Sequence, residues 1–295
     1  MMEKAKVYFT RTITPEKVVE MFELLGKQLP GKVAVKLHSG EQGNRNYLRP
    51  EFVKPLVDHV KGTVVECNTA YEGARNTTEK HLHLIHEHHW DEYFDFDLLD
   101  AEGPDIVLPI KNGKTLKENY IGKNWANYDS LLVLSHFKGH TMGGYGGALK
   151  QLSIGCASTV GKALIHSGGT DKNQYTCWDN AVTKDPFMIC MADAAGSMVE
   201  YFKGNAAYIN CMVNLSVDCD CDGNAAAPCM KDIGILSSLD PVALDRACMD
   251  LIIASDDPGK EEFLERVNSR HGQVTMDVAA EEGYGTKEYE LIEVE

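Results

Sequence analysis

What this chain lacks narrows it before any motif is read. No apolar run approaches the roughly eighteen residues that a membrane-spanning helix needs. Met1 to Lys6 leads directly into Val7-Tyr8-Phe9 without the apolar core of a signal peptide, which points to a cytoplasmic setting and no membrane. Basic residues are scarce relative to acids, 29 against 44, for a formal charge of −15. That balance argues against nucleic acid as the main partner, because phosphate contacts need a basic surface. It leaves room for a small anionic molecule wherever a few lysines cluster locally. Homo-oligomerisation and a redox partner are both compatible with this composition.

Certain spacings are missing as well. The chain has no C-x₂-C pair, hence no zinc-ribbon or ferredoxin signature, and no G-x-x-x-x-G-K-[ST] phosphate loop. Nine cysteines in a cytosolic chain are thiols or metal ligands more naturally than disulfides. Cys67, Cys156, Cys177, Cys190, Cys211 and Cys248 stand singly in apolar or mixed surroundings, the usual setting of a small buried thiol. With no tandem repeat, low-complexity tract or long linker, residues 1–295 read as a single unit. A division into two lobes would fall near residues 165–175.

The stretch that is present and unusual is SHFKGHTMGGYGGALK, Ser135 to Lys150. It follows the apolar strand Leu131-Leu132-Val133-Leu134. It sets His136, Lys138, His140 and Lys150 among Gly139, Gly143, Gly144, Gly146 and Gly147, and glycine lets a backbone approach a ligand closely. His136, His140 and Lys150 are the catalytic candidates. Lys138 and the glycines at 143, 144, 146 and 147 are the binding candidates.

The pattern around it is α/β. Val7–Phe9, Lys32–Leu37 and Thr63–Cys67 read as strands. Thr14-Pro15 opens one helix and another runs from about Pro50 to His59. Such alternation predicts a mostly parallel sheet flanked by helices, with ligands at the strands' carboxyl ends. The loops at 38–45, 67–76 and 135–150 all leave such ends and are expected to converge, which brings Arg75 in as a binding candidate. Residues 77–90 read as a helix capped by Asn76 and carrying five histidines. His81 and His88 share one face, and either could reach the site. Asp105–Ile110 and Leu116–Ile121 read as a hairpin. Helices are expected at 176–182 and 186–202, and a buried strand from Ala206 to about Val217. Asp240-Pro241 starts a further helix, with Asp245 on its solvated side or turned to the site through the first turn. Helices at 260–269 and 275–282 and a last strand at 289–294 complete the pattern.

Directly after the strand from Ala206 comes Asp218-Cys219-Asp220-Cys221-Asp222-Gly223. If extended, its acids and thiols alternate in direction. The acids match the first half of a calcium loop, although its twelfth position is Cys229 where a bidentate Glu belongs. Cys219, Cys221 and Cys229 alternatively offer soft ligands for iron–sulfur, zinc or a similar ion. A third reading is a loop whose acids cap backbone groups and whose thiols pack inward. Asp218, Cys219, Asp220, Cys221 and Asp222 are the metal candidates.

Taken together, VECNTAYEGARNTTEKH at 65–81, SHFKGHTMGGYGGALK at 135–150, IGCAS and GKALIH after it, NLSVDCDCD at 214–222 and DIGILSSLDPVALDRACMDLI at 232–252 resemble the domain-of-unknown-function 362 family, often labelled iron–sulfur-centre proteins. The resemblance covers nearly the whole chain and implies an α/β fold. Many relatives carry a C-x₂-C-x₂-C ferredoxin module that this chain lacks. GGYGGALK also looks like the glycine-rich, lysine-ended loop of lactate racemase and its relatives, which position a nickel pincer nucleotide. That likeness would put Lys150 against a cofactor and make His136 or His140 a ligand or acid/base. Three functions follow as expectations. The first is a metal-dependent enzyme acting on a small anion. The second is an iron–sulfur or other thiolate-metal electron-transfer or delivery protein. The third is a nonenzymatic phosphate- or nucleotide-binding module.

Overall fold

Alternating apolar strands and capped helices carry the chain through a computed structural model that describes residues 4–295. Strand β1 (Ala5–Thr10) leads to α1 (Pro15–Glu23), where the Thr14 hydroxyl accepts from the Lys17 amide and Pro15 sits in the first turn. Then come β2 (Val33–Lys36), α2 (Pro50–Val60), β3 (Thr63–Glu66) and α3 (Thr78–Glu87). A short β4 (Phe96–Leu98) precedes the hairpin of β5 (Ile106–Pro109) and β6 (Glu118–Ile121). Next are β7 (Ser130–His136), β8 (Lys138–His140), β9 (Gly144–Gly146) and α4 (Ala148–Lys150), which runs into a π-helical turn at Gln151–Gly155. The remainder is α5 (Thr159–His166), α6 (Asp185–Tyr201), β10 (Ala206–Met212), β11 (Gly234–Ser238), α7 (Pro241–Ala254), α8 (Lys260–Ser269), α9 (Val274–Glu281) and β12 (Tyr289–Glu293).

Eight strands form one sheet in the order β12-β1-β11-β10-β7-β2-β3-β4. β11 pairs antiparallel with both neighbours and every other pairing in the sheet is parallel, so the fold is α/β with a mostly parallel sheet flanked by helices. Alternate residues of one strand feed two separate cores. Leu131 and Val133 pack into one face, Leu132 and Leu134 into the other. This is why β7 reads as a continuous apolar run: both faces are covered. Among the described residues no helix is long and apolar enough to cross a membrane.

Several expectations need correction. Thr77, not Asn76, caps α3, its hydroxyl accepting from the Lys80 amide. The strand from Ala206 ends at Met212, and the helix expected at 176–182 is a 3₁₀ turn at Cys177–Asn180. Residues 135–150 are not an open loop. Ser135 and His136 finish β7, β8 and β9 pair as a tight hairpin, and only Thr141 and Met142 are not buried. Gly144 makes the turn at φ +78°, where a side chain would be strained. Asp245 is fully buried on α7 rather than solvated, and it holds the start of α4.

One buried carboxyl pair lies away from the sheet's carboxyl edge. Asp193 of α6 accepts from the amides of Lys114, Thr115 and Leu116, and Glu282, which also accepts from the Lys114 amide, lies beside it. Burial, with the Asp193 contact, pushes Glu282 up to about 8. A raised carboxyl pKa means that the folded state binds the proton more tightly than the unfolded chain, so stability falls as pH rises from about 4.5 towards 8. In thermal melts across that window, Glu282→Gln should flatten this loss and become the more stable protein at pH 9. An unchanged pH slope would mean that Glu282 does not hold its proton in the folded protein.

Candidate functional site

The sheet's connectivity fixes where a site belongs. From β2 the chain steps outward through β3 to β4, whereas from β7 it steps the other way to β10. β2 and β7 are therefore neighbours whose following loops diverge, and a crevice opens at their carboxyl ends. A cavity of about 550 Å³ lies there, walled by the loops after β2 and β3, the β8–β9 hairpin, α4, α5 and the Cys221–Gly223 bend. The three converging loops expected from the sequence all contribute to it.

One end of the cavity is sulfur. Asn44, on the loop after β2, donates its side-chain amide to the carbonyls of Cys219 (3.2 Å) and Asp222 (2.8 Å), and the Glu41 amide bonds the Asp220 carbonyl. That clamp holds 219–222 as a turn, with Cys219 and Cys221 facing the β8–β9 hairpin. Lys150 Nζ stands 4.0 Å from Cys219 Sγ, and His140 Nε2 stands 3.9 Å from Cys221 Sγ. The donor atoms of His140, Cys219 and Cys221 lie within 4.8 Å of one another, so one metal ion could bridge them. Burial works against ionising Cys219. The hydrogen bond from Cys221 and the charges of Lys150, His140 and Lys138 outweigh it and hold the thiol well below its ordinary range. Cys221 is pushed up, first by that same bond and then by burial. One proton thus serves two sulfurs.

The donor set suits a soft or borderline ion rather than calcium or magnesium. His140 adds a condition. Its Nδ1 accepts the amides of Gly143 (2.8 Å) and Met142 (3.2 Å), so the proton of the neutral ring sits on Nε2, aimed at the sulfur pair. Cys219 fits an ion as it stands and Cys221 fits on releasing the shared proton. The imidazole would ligate through Nε2 only as the Nδ1–H tautomer, which the Gly143 and Met142 amides oppose.

The remaining metal candidates lie elsewhere. Asp218 pairs with Arg266 at 2.8 Å, and Asp222 accepts the Asn224 amide. Asp220 turns inward, away from both cysteines, to meet His136 Nδ1 and Lys138 Nζ, each at 2.8 Å. Divergent carboxylates make no calcium loop. Cys229 donates to the Leu215 carbonyl and stands outside the cluster. His136 and Lys138 are likewise built into the protein. His136 Nε2 reaches the Val213 carbonyl at 2.6 Å, Lys138 donates to the His136 carbonyl, and neither residue lines the cavity. They form a buried charge cluster beneath the site, in which His136 and Lys138 draw Asp220 far below the carboxylate range against burial. Gly143, Gly144, Gly146 and Gly147 shape the hairpin without lining the cavity. Of the hairpin candidates, His140 and Lys150 reach it.

The second wall centres on Glu66, at the carboxyl end of β3. It accepts from Ser39 Oγ (2.5 Å), the Ser39 amide (3.2 Å) and His81 Nε2 (3.0 Å), with Arg75 Nη1 at 3.8 Å and Lys36 at 4.0 Å. Burial opposes its ionisation, but His81, Lys36 and His38 hold it well below the usual range. Arg75 also reaches Glu41 (3.2 Å) and Tyr71 (2.7 Å), and Tyr71 donates to Glu41 (2.9 Å). Arg75 therefore lines the cavity, while His81 supports it from behind through Glu66. His88 does not reach the site: it stacks on Tyr47 and bonds the Ser39 carbonyl.

The third wall was not anticipated. Lys162 and His166, four apart on α5, line the cavity at 5% and 7% exposure. The His166 ring lies between Trp178 (4.7 Å) and Phe187 (4.9 Å), and its Nδ1 is buried without a partner. Burial, with His140, Lys150 and Lys162 nearby, pushes His166 down to about 3, so the ring is neutral. Lys36, His38 and Glu66 were missed too. Their available signal was a charge at the carboxyl end of an otherwise apolar parallel strand, as in Val33-Ala34-Val35-Lys36 and Val64-Val65-Glu66.

No curated protein matches the chain. Among solved structures, it is similar to the lactate racemase apoprotein from Thermoanaerobacterium thermosaccharolyticum at 16% identity and a TM-score of 0.45, over 70% of this chain and 50% of that one. It is similar to a structural-genomics protein from Thermotoga maritima at 12% identity and a TM-score of 0.41, over 91% of this chain and 59% of that one. The chain thus spans between half and three fifths of the length of those two proteins. The family model described as Domain of unknown function (DUF362) matches residues 33–250, which include the sheet's switch point and all three walls of the cavity, and the chain belongs to that family.

Proposed function

We propose that this chain is a metal-dependent enzyme acting on a small anionic substrate. One observation carries the reading: two sulfurs and an imidazole lie within 4.8 Å of one another at the end of a cavity whose walls hold Lys36, Arg75, Lys150 and Lys162. Glu41, Glu66, Glu72 and Asp222 line the same cavity. Lys36 and Arg75 face Glu66, but Lys150 and Lys162 pair with no carboxylate among the described residues, and these two favour an anionic guest. Cys219 and Cys221 hold the ion, which when bound supplies Lewis acidity. His140 presents its Nε2–H as a hydrogen-bond donor at that end of the cavity. Lys150, beside the sulfur pair, orients the anion. Two cysteines favour a single ion over an iron–sulfur cluster, which takes about four protein ligands.

The test is anaerobic titration of metal-free protein with cobalt(II), followed by its thiolate charge-transfer absorption. Wild type should take one equivalent, and Cys219→Ser and Cys221→Ser should each weaken uptake roughly 100-fold, the upper range for losing a group that tunes a metal site. Absence of the sulfur band in wild type would sink the metal reading.

A further inference from the structure

The cations of the cavity are not equally occupied. Lys36 and Arg75 already face Glu66, and Lys138 faces Asp220. Lys162 forms no ion pair with any carboxylate among the described residues and, unlike Lys150, whose Nζ stands 4.0 Å from the Cys219 sulfur, faces no thiolate either, although it is more than nine-tenths buried. Lys162 Nζ is held by the Ala157 carbonyl at 2.5 Å, which fixes the ammonium without neutralising it. A buried charge left uncompensated is costly, and an incoming anion removes that cost.

His166 adds a second, independent sign. Its Nδ1 is sealed off and unpartnered, so Nε2 is the nitrogen open to the cavity. Trp178 and Phe187 hold the ring in place, and Trp178 is itself anchored by its indole N–H to the Ala70 carbonyl at 3.1 Å. A buried lone pair without a partner costs less than a buried N–H without one, so the neutral ring carries its proton on Nε2 and presents a donor there. The α5 wall thus offers one ammonium group and one N–H donor, with no accompanying acid.

We propose that Lys162 and His166 form a carboxylate-binding subsite on the α5 wall, distinct from the sulfur end of the cavity where Lys150 stands. This deepens the reading above and rests on it in one respect, that the anion it names is the substrate's. Carboxylate is favoured over phosphate by the donors present. The wall has no guanidinium fork, and the first turn of α5 is closed by Ser158, whose hydroxyl accepts the Gly161 amide. Phosphate sites draw on such forks and on free helix-start amides. With one carboxylate at α5, the rest of the ligand extends towards Cys219 and Cys221, across a cavity of the size that takes a ligand larger than a simple acid.

The experiment is a titration of metal-free protein with succinate and, separately, with inorganic phosphate, read by Trp178 emission and by calorimetry. Succinate should bind saturably and more tightly than phosphate. Lys162→Met should weaken it about 10–100-fold, the effect of losing one charge-assisted hydrogen bond. His166→Phe keeps the aromatic stack but removes the N–H, and it should weaken succinate several-fold. Cys219→Ser/Cys221→Ser protein should bind succinate as wild type does, whatever the cobalt titration shows, which separates this subsite from the metal reading. No succinate binding, unchanged binding by Lys162→Met, preference for phosphate, or loss of binding in the double cysteine variant would each overturn the proposal.

Discussion

Asp220→Ala should lower the stability of the protein by about 3–5 kcal/mol, the range for removing one member of a buried, hydrogen-bonded charge cluster. Asp220 is 1% exposed and sits between His136 Nδ1 and Lys138 Nζ at 2.8 Å each, themselves 2% exposed. Alanine leaves two buried donors facing nothing. The change should appear as a lower urea midpoint with the slope unaltered. Its pH dependence has a definite sign. Because the folded-state pKa is depressed, the contribution of Asp220 is complete above the ordinary carboxylate pKa near 3.9 and is lost only as pH falls towards the lower folded value. The carboxylate's share of the gap between wild type and variant should therefore close only in strong acid. A gap under about 1 kcal/mol, the scale of an exposed ion pair, would mean that water replaces the carboxylate. Because Asp220 lies between Cys219 and Cys221 in the chain, cobalt uptake should fall along with stability.

The contrast between Asp220 and its neighbours shows which parts of this protein can be read from sequence. Local rules held where a residue acts on its own segment. Thr14-Pro15 and Asp240-Pro241 start α1 and α7 because a side-chain oxygen and a preset φ act within one turn. The alternation of strand and helix also placed the site at the carboxyl ends of β2, β3 and β7. The roles of single side chains were harder. His136 and Asp220 are 84 residues apart, and no periodicity within either segment announces that they meet. Read locally, His136 looks catalytic and Asp220 looks like a metal ligand, whereas they neutralise one another beneath the cavity. Lys162 and His166 were hidden for another reason. The run from Lys162 to Gly169 is hard to assign to an element from its pattern, and only the burial of both polar side chains on α5 marks them. β4 escaped notice because three residues are too few to establish an alternation.

Asp245→Ala should be nearly as damaging, at about 2–4 kcal/mol, through unsatisfied buried donors rather than unpaired charge. Asp245 Oδ1 accepts the Ala148 amide (2.8 Å) and Asn210 Nδ2 (2.7 Å), and Oδ2 accepts the Leu149 amide (3.0 Å), with Tyr145 Oη at 3.4 Å. These bonds tie the first turn of α4 to α7 and β10, and the end of that turn is Lys150. Gly147 allows the approach, since a Cβ there would lie 2.5 Å from the Asp245 carboxylate. Burial pushes Asp245 up to about 6 against the pull of its donors. For a carboxyl with a raised folded pKa, stability declines as pH rises from about 4 to 6 and is level beyond. The penalty of Asp245→Ala should therefore be larger at pH 4.5 than at pH 7.5. Hydrogen exchange separates its local role from a general loss of stability. The amides of Ala148 and Leu149 should lose protection in the variant by more than the global change accounts for, while those of β1 should follow the global change alone. Equal losses at both places would make Asp245 a core residue with no particular hold on Lys150.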